Sequence, residues 1–583
     1  MADETAGTTC LLINIGHVLT RVAYCSPVEG VARLVALAEA STTASGPDGL
    51  LEGVRRAVTN LEALLGRRLL DEEGRLRRPC DADGHGVGGA VVTTSLAWPL
   101  RVALAGVARD YSLASAFRAV SVPHVTLVRM VALDASTRRW ETDDLQALVE
   151  SPPAVLVLVG GVDGGPVAPI CDLAQALGAA YSALPENTRP TVVYAGNVQA
   201  HRPLSAALSG VVDLHLVSNV RPSLGVEYLG DLRAEVMRLF YRRALGWPEA
   251  LQAVEQWAGT SVRYDLDAMA RTLRFTARRH SLKRGVLGVD VGGSGCRLLW
   301  VQPVGAPLSW ATPYGTGAGL GALRELNDPT AVLRWLRSPL SWAEAWDRLS
   351  NVEVRPAGVP QTEEDWDLQQ AAAREALHCS WRVARGAWGE VSADLGAWPE
   401  ADLLVGRGTV LTHAHTPGQA ALAMIDALQP VGLMRLALDW ADLLPGLSGL
   451  AQSDAQSAVQ IFDHDALLEL GTLVAPSGSV RPHARALHVR LSVQGELRSE
   501  MVVPGGSIRR LPLGTNERGK LEVYPARGLD LGVGRRGRGG IAEVRGGALG
   551  VIIDARGRPL ALPVDDDERR QLLESWQQEI EEG

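Results

Sequence analysis

The chain has 583 residues, 46% hydrophobic and 21% charged, a composition ordinary for a soluble globular protein of about two to four domains. A net charge of -9 argues against a general nucleic-acid binder, and only Lys283 and Lys520 are lysines, which leaves little material for Schiff-base or Walker-type chemistry. The six cysteines, Cys10, Cys25, Cys80, Cys171, Cys296 and Cys379, are scattered without a Cys-x-x-Cys pair, so neither a disulfide framework nor a zinc site is expected and a reducing cytoplasm fits.

The first ten residues, MADETAGTTC, are polar and acidic, unlike a signal peptide. No apolar run approaches the roughly 20 residues of a membrane span. The expectation is a cytoplasmic protein with no membrane or nucleic-acid partner. Residues 10–25 read as strand, turn at Gly16–His17, strand. Leu51, Val54, Val58, Leu61, Leu64 and Leu65 have helical spacing over 50–66. GGAVVTTSLAWPLRVALAG reads as two strands about a turn near Trp98–Pro99. PAVLVLVGGVDGGP predicts a buried strand and a glycine loop, followed by a helix from about Ile170 to Leu177; TVVYAGN predicts another strand. Strands alternating with helices indicate an α/β architecture.

After a helical stretch at about 228–280, RGVLGVDVGGSGCRLLWVQP opens a second block of the same kind. Residues 329–395 lack clear strands and read as helical. ADLLVGRGTVLTHAH is strand then glycine loop, and PGQAALAMIDAL is a helix. From about 484 short alternating runs separated by glycine and arginine turns predict a small β domain, and the charged tail from 565 predicts a helix. The expected division is 8–280, 285–480 with a helical insertion at about 329–395, 484–564 and 565–583. The two strand–glycine–strand openings, about 276 residues apart, fit two related domains facing each other across a cleft.

A carboxylate ending a strand before a glycine hairpin is suited to phosphate chemistry. Backbone N–H groups of such a turn can approach phosphate oxygens, and the carboxylate can hold Mg²⁺ through waters. The alternative is a plain glycine-rich hairpin. In VGGVDGG (159–165), Asp163 is either a ligand contact or part of a tight strand-to-helix turn. His413 and His415 are metal-ligand candidates without a visible third partner, or a polar loop entering a helix. GVGRRGRGG (532–540) reads as hairpin-turn arginines rather than an RNA-binding tract, having no interleaved aromatic residues.

The two hairpins and the later glycine loop together resemble the superfamily of actin, sugar kinases and seventy-kilodalton heat-shock ATPases. The first loop is Asn14-Ile15-Gly16-His17-Val18-Leu19-Thr20-Arg21, the second runs from Asp290 to Arg297, and the adenosine loop is LLVGRGTV. Within that superfamily the chain resembles the glutamate mutase accessory (L) protein family over nearly its whole length. That resemblance is carried by TTSLAWPLRVALAG, LVGGVDGG, VVYAGN, VDVGG, RPAGVPQTEED, LTHAHTPGQAALAMIDALQP, LELGTLVAPSG and GGALGVIIDARGRPL.

The resemblance implies two actin-like, ribonuclease-H-type α/β domains around a cleft that takes ATP or ADP with Mg²⁺. It also implies partnership with subunits of an adenosylcobalamin-dependent mutase, as a chaperone or reactivating factor. The implied catalytic and metal residue is Asp290. The implied nucleotide contacts are Asn14, Gly16, His17, Thr20 and Arg21, then Gly292, Gly293, Ser294, Gly295 and Arg297, then Gly406, Gly408 and Thr409.

The chain departs from the family pattern where charge matters. Asn14 stands in place of an acid in the first loop, with His17 and Val18 after Gly16. Arg297 stands in place of the acid closing the second loop, and Gly295 and Cys296 replace threonines. Arg407 and Thr409 sit where small residues are usual. Asparagine brings no charge to Mg²⁺, and arginine cannot serve as a general base. Three readings stand: an actin-like ATPase with a weakened site, a scaffold that no longer hydrolyses ATP, and a small-molecule kinase, which would need a catalytic Asp in the cleft, Asp163 being the only loop candidate. Arg297 either pairs with a phosphate, or points away and packs or pairs with a surface carboxylate.

Overall fold

The computed structural model describes residues 9–43, 49–133, 142–244, 248–326, 328, 330–391, 400–478, 481–532 and 538–582. The N-terminal octapeptide and most of the arginine–glycine tract at 532–540 lie outside these residues.

Three antiparallel strands open the chain: β1 (Cys10–Ile15), β2 (Leu19–Val28) and β3 (Val31–Ser41). All six residues of β1 are buried, as a run of mostly apolar residues between two covered faces requires. The helix Leu50–Leu65 crosses over to β4 (Gly89–Thr94), which lies parallel to β1. The chain then leaves this sheet. β5 (Leu100–Gly106), β6 (Val125–Ala132), β7 (Val155–Val159), β8 (Thr191–Tyr194) and β9 (Asp213–Leu216) form a parallel sheet in the order β6-β5-β7-β8-β9. This is a doubly wound 2-1-3-4-5 arrangement, inserted whole between β4 and β10 (Val262–Tyr264). β10 returns beside β4 and completes the first sheet as β3-β2-β1-β4-β10. The sequence reading gave one α/β block here, because periodicity reports strands and not the sheet that each one joins.

The second half repeats the plan. β11 (Val286–Val291), β12 (Cys296–Val301) and β13 (Leu308–Thr312) are antiparallel; β14 (Leu403–Arg407) and β15 (Gly432–Leu438) follow, parallel to β11, in the order β13-β12-β11-β14-β15. Two sheets with the same 3-2-1-4-5 order make two ribonuclease-H-type domains, the actin-like ATPase fold. Within the helical stretch expected at 329–395, the helix Glu363–Val391 takes the crossover place that Leu50–Leu65 takes in the first half. The shorter helix Trp342–Val354, started by a Ser341–Glu344 capping box, is the added element.

Both last parallel strands lead into a helix. β10 feeds Asp265–Arg279, with acids in its first turn and Arg278 and Arg279 in its last, as the helix dipole favours. β15 leads to Leu444–Ser453. These two helices pack on each other between the two sheets, with Leu12, Val91, Met269, Leu273, Leu444 and Leu447 in one apolar core. Gly446 and Gly449 let the second helix come down on the first sheet: a Cβ at Gly449 would lie 2.2 Å from Val91 Cγ1. A second core lies under β11, β14 and the helix Pro417–Leu428.

The C-terminal β region divides between two sheets. β16 (Leu468–Ala475) pairs with β15; β17 (Arg485–Val493), β18 (Glu496–Pro504), β20 (Arg518–Pro525) and β21 (Gly540–Arg545) form a separate four-stranded sheet. β19 (Ile508–Leu511) and β22 (Val551–Asp554) instead extend the second domain's sheet, and the helix Asp566–Glu582 packs beside β19. At the opposite end β6 of the inserted sheet meets β13, so thirteen strands run continuously from β19 to β9. The Ser309 hydroxyl lies 2.8 Å from the carbonyl oxygens of both Pro123 and Val125 at that junction. The insertion from the first half is therefore bonded to the edge of the second.

Candidate functional site

The duplicated hairpins put equivalent residues in equivalent register. In the first, Asn14 pairs with Arg21 on β2 and Thr93 on β4. In the second, Asp290 pairs with Arg297 on β12 and Arg407 on β14. The helix starts supply Asp265 from one half and Asp439 and Asp442 from the other. Asn14, Asp265, Asp290, Arg297, Arg407, Asp439 and Asp442 are each no more than 8% exposed.

Arg407 is the hub of this cluster. Its Nε donates to Asp442, Nη1 lies 3.1 Å from Asp265 Oδ2, and the same nitrogen is 3.7 Å from Asp290 Oδ2. Burial works against its charge, but Asp442, Asp290, Asp265 and Asp439 together hold its pKa well above the ordinary arginine value. Arg297 closes the other side. Its Nη1 is 3.6 Å from Asp290 and 3.9 Å from Asp265, Nη2 donates to the Ser95 carbonyl, and the guanidinium lies 5.3 Å from the centre of the Trp98 ring. Asn14 Nδ2 donates to Asp442 at 2.5 Å and its oxygen accepts from Thr93 at 3.0 Å. A continuous polar chain thus runs from the first domain into the second.

The acids respond to burial. Asp265 is fully buried and its pKa is raised by desolvation, with Arg297 and Arg407 pulling it back. Asp439 is pushed up to about 7 by burial and then by the charge of Asp442, against the pull of Arg407 and of the Leu443 and Leu444 N–H groups it caps. His17 is lowered to about 4 by burial and by Arg297, so the imidazole is neutral near pH 7.

The implied phosphate donors are differently employed. Gly16 N–H donates to Leu19 O at 2.9 Å and Gly292 N–H to Gly295 O at 3.0 Å, each within its own hairpin. Thr20 faces Thr42 at 2.9 Å, fully buried, and Arg21 bonds Glu39 at 3.1 Å and the Thr409 hydroxyl at 3.2 Å. His17 sits 5.9 Å from the Trp98 ring. Gly293, Ser294 and Gly295 form the tip of the second loop, but the first loop and Trp98 fill the space before it. A Cβ at Gly293 would fall 2.3 Å from Val18 Cγ2, and one at Gly295 would fall 2.3 Å from the Trp98 ring. Gly406 is not in a loop: it lies inside β14 against Met424 and Leu438. Gly408 does turn the chain, at φ +105°, into the short helix Thr409–Thr412.

This donor set does not fit Mg²⁺. A bound dication needs carboxylate oxygens turned to it or to its waters. Asp290 instead faces two guanidiniums that already supply the compensating positive charge, and a dication there would meet two fixed cations. Among the described residues no group of three or more His, Cys, Asp or Glu is placed to hold a metal. His413 contacts Thr409 O and Glu39 while His415 stacks on Trp366, so the two histidines do not converge. Asp163 lies in the inserted domain, accepting from the Val198 N–H at 3.1 Å and the Asn219 amide at 2.9 Å. It ties three loops together there.

Residues 10–466 match the MutL protein family. The chain belongs to that family. No curated protein sequence matches this MutL-family chain significantly. Among solved structures, it is similar to a nucleotide-free acetone carboxylase at 11% identity, covering 86% of this chain and 81% of that one, with a TM-score of 0.29. It is also similar to the ethanolamine utilization protein EutJ from Carboxydothermus hydrogenoformans, at 9% identity over 76% of this chain and 88% of that one, TM-score 0.27. A nucleotide-free diol dehydratase-reactivating factor is 10% identical over 78% and 99%, TM-score 0.27. At these scores the fold of the MutL-family chain rests on its own strand order.

Asp265, Asp439, Asp442 and Ser95 were not among the residues singled out from sequence, and Trp98 was read only as a turn residue. One signal was available: Arg21 and Arg297 each stand seven residues after Asn14 and Asp290. Aligning the two hairpins puts the arginines in matching register, although Arg21 bonds Glu39 and Thr409 while Arg297 faces Asp290 and Asp265. The aspartates come from helix starts that only the fold brings to the strand ends.

Proposed function

We propose that this chain is a non-hydrolysing accessory protein of an adenosylcobalamin-dependent, glutamate mutase-like enzyme, acting as a chaperone or reactivating scaffold through an actin-like body. The observation that carries the non-hydrolysing part is the enclosure of Asp290 between Arg297 and Arg407, at 3.6 and 3.7 Å. Hydrolysis by such a cleft needs that carboxylate to position Mg²⁺ and the attacking water. With both arginines in place it does neither. The mutase partnership follows from the family resemblance.

The test of hydrolysis is phosphate release by the full chain with ATP, with and without Mg²⁺. The expected result is no Mg²⁺-dependent turnover. Mg²⁺-dependent turnover that disappears in Asp290→Asn would sink the proposal. The test of partnership is the recovery of activity by an inactivated holo-mutase after addition of the chain. Recovery is expected with ATP and equally with a non-hydrolysable analogue; recovery with ATP alone would return the chain to the ATPase reading.

Nucleotide binding without hydrolysis is a second reading, favoured by one observation. Arg297 Nε and Asp265 Oδ1 are buried without a hydrogen-bond partner, and a buried unsatisfied guanidinium nitrogen is an available phosphate donor once Val18 and Trp98 move aside. Saturable ATP binding by calorimetry, independent of Mg²⁺ and lost in Arg297→Met, is its expected signature.

A further inference from the structure

Behind the second domain, away from the strand-end cluster, lies a cavity of about 510 Å³. Its floor is the start of β15 and the end of the helix Asp265–Arg279. Its roof is the sheet formed by β17, β20 and β21. Five cationic side chains line it, Arg284, Arg435, Arg518, Lys520 and Arg545, with the imidazole of His280 beside them. Lys520 is one of only two lysines in the chain.

The charges do not balance inside the cavity. Asp402 and Glu543 are the lining carboxylates, and Glu469 stands just behind, bonded to Arg435 Nη2 at 2.5 Å. Arg284 is matched by Asp402 at 2.7 Å and Glu400 at 3.1 Å. Arg435 is matched on one nitrogen by Glu469, and Lys520 stands opposite Glu543 across β20 and β21, which leaves Arg518 and Arg545 as the pair without an acid of their own. Arg518 and Arg545 are direct cross-strand partners on β20 and β21, a placement of like charges that costs stability. Among the described residues neither guanidinium makes a hydrogen bond or ion pair, and nor does the Lys520 ammonium. Arg435 keeps Nε and Nη1 buried without a hydrogen-bond partner. The crowding is felt by the neighbours: burial, then Arg435 and Arg518, lower the Arg545 pKa, and burial with Arg435 and Arg545 lowers His280 to about 4.

We propose that this cavity is a binding site for a small molecule carrying a phosphate group. The volume suits a metabolite-sized ligand. Two facing guanidiniums on adjacent strands, with a lysine two residues along and buried arginine donors opposite, can each take a different oxygen of a tetrahedral dianion. A planar monocarboxylate reaches fewer of them. The like-charged Arg518–Arg545 pair, unfavourable alone, becomes favourable around such an anion. The inference is independent of whether the strand-end cleft binds nucleotide.

The probe is inorganic pyrophosphate, titrated into the full chain by calorimetry, with citrate as the carboxylate comparison. One site per chain is expected, weakened at least tenfold in Arg518→Ala and in Arg545→Ala, each with an unchanged circular dichroism spectrum. Lys283→Ala, an exposed charge outside the cavity, should leave binding unchanged. Arg518 is itself solvent-facing, so its variant reports on binding even if Arg545→Ala disturbs the sheet. Absence of binding at millimolar pyrophosphate overturns the proposal. So does binding that survives both arginine variants, binding weakened as much by Lys283→Ala, or tighter binding of citrate than of pyrophosphate.

Discussion

Arg407→Met tests whether the arginine network holds the two halves together. Methionine fills much of the same volume but removes the cation shared by Asp442, Asp265 and Asp290. Taking one partner from a buried ion pair typically costs about 3–5 kcal/mol. Three carboxylates lose a partner here, while Arg297, at 3.6 Å from Asp290 and 3.9 Å from Asp265, still compensates two of them. A loss of about 4 kcal/mol at pH 8 is therefore expected. The pH dependence has a definite sign. Asp265 is already raised by burial and held back by Arg297 and Arg407, so deleting Arg407 raises it further. A carboxyl whose folded pKa lies above its unfolded one contributes full stability below the unfolded value and loses it as pH rises. The deficit of the variant should therefore shrink on going from pH 8 to pH 5. Urea unfolding followed by the fluorescence of the chain's fifteen tryptophans measures this as a global signal. Adding Asp442→Asn should recover part of the loss. A deficit below about 1 kcal/mol, or one that is the same at both pH values, would refute the role of Arg407 as the shared counter-ion.

Asp439→Asn should flatten the pH dependence of stability. The native acid, at about 7 against an ordinary 3.8, stabilises the fold fully below about pH 4 and progressively less as pH rises through 7. The amide keeps an acceptor for the Leu443 N–H, so the variant should exceed the parent by about 2–4 kcal/mol at pH 8 and match it near pH 4, read by urea midpoints. Gly293→Ala should lower the unfolding midpoint by the equivalent of about 1–3 kcal/mol, because its Cβ would meet Val18 Cγ2 at 2.3 Å. Val18→Gly in the same chain should restore most of it; no coupling between the two would mean that the loops do not touch. Ser309→Ala should cost about 1 kcal/mol and speed amide exchange along β6 and β13, and unchanged exchange would dismiss that junction as a tie between the halves.

The duplicated strand–glycine–strand openings were legible because the pattern is local: an apolar run, a polar residue at its end, a turn that only glycines make easily, and a second run. The same reading found the buried β7 run VLVLV, the helix Pro417–Leu428 and the alternating strands after 484. It missed that the strands between β4 and β10 leave the first sheet and continue the second domain's sheet through β13, and that β19 and β22 join that sheet at its other end, since strand partners are chosen by packing at long range. It also took Gly406 for a loop residue, because the glycine-rich spelling of VGRG does not reveal that the strand continues through Arg407.

The residues alone are enough for the family, the twofold actin-like plan and the suspicion attached to Asn14 and Arg297, since each depends on residue identity at short spacing. What the arginines do depends on distance between remote segments. Asp265, Asp290, Arg407 and Asp442 are separated by up to 177 positions in the chain, and they meet only because two crossing helices begin where two parallel strands end. Burial at that point then decides the chemistry: with water excluded, a guanidinium beside Asp290 is a counter-ion that the carboxylate does not release to a metal.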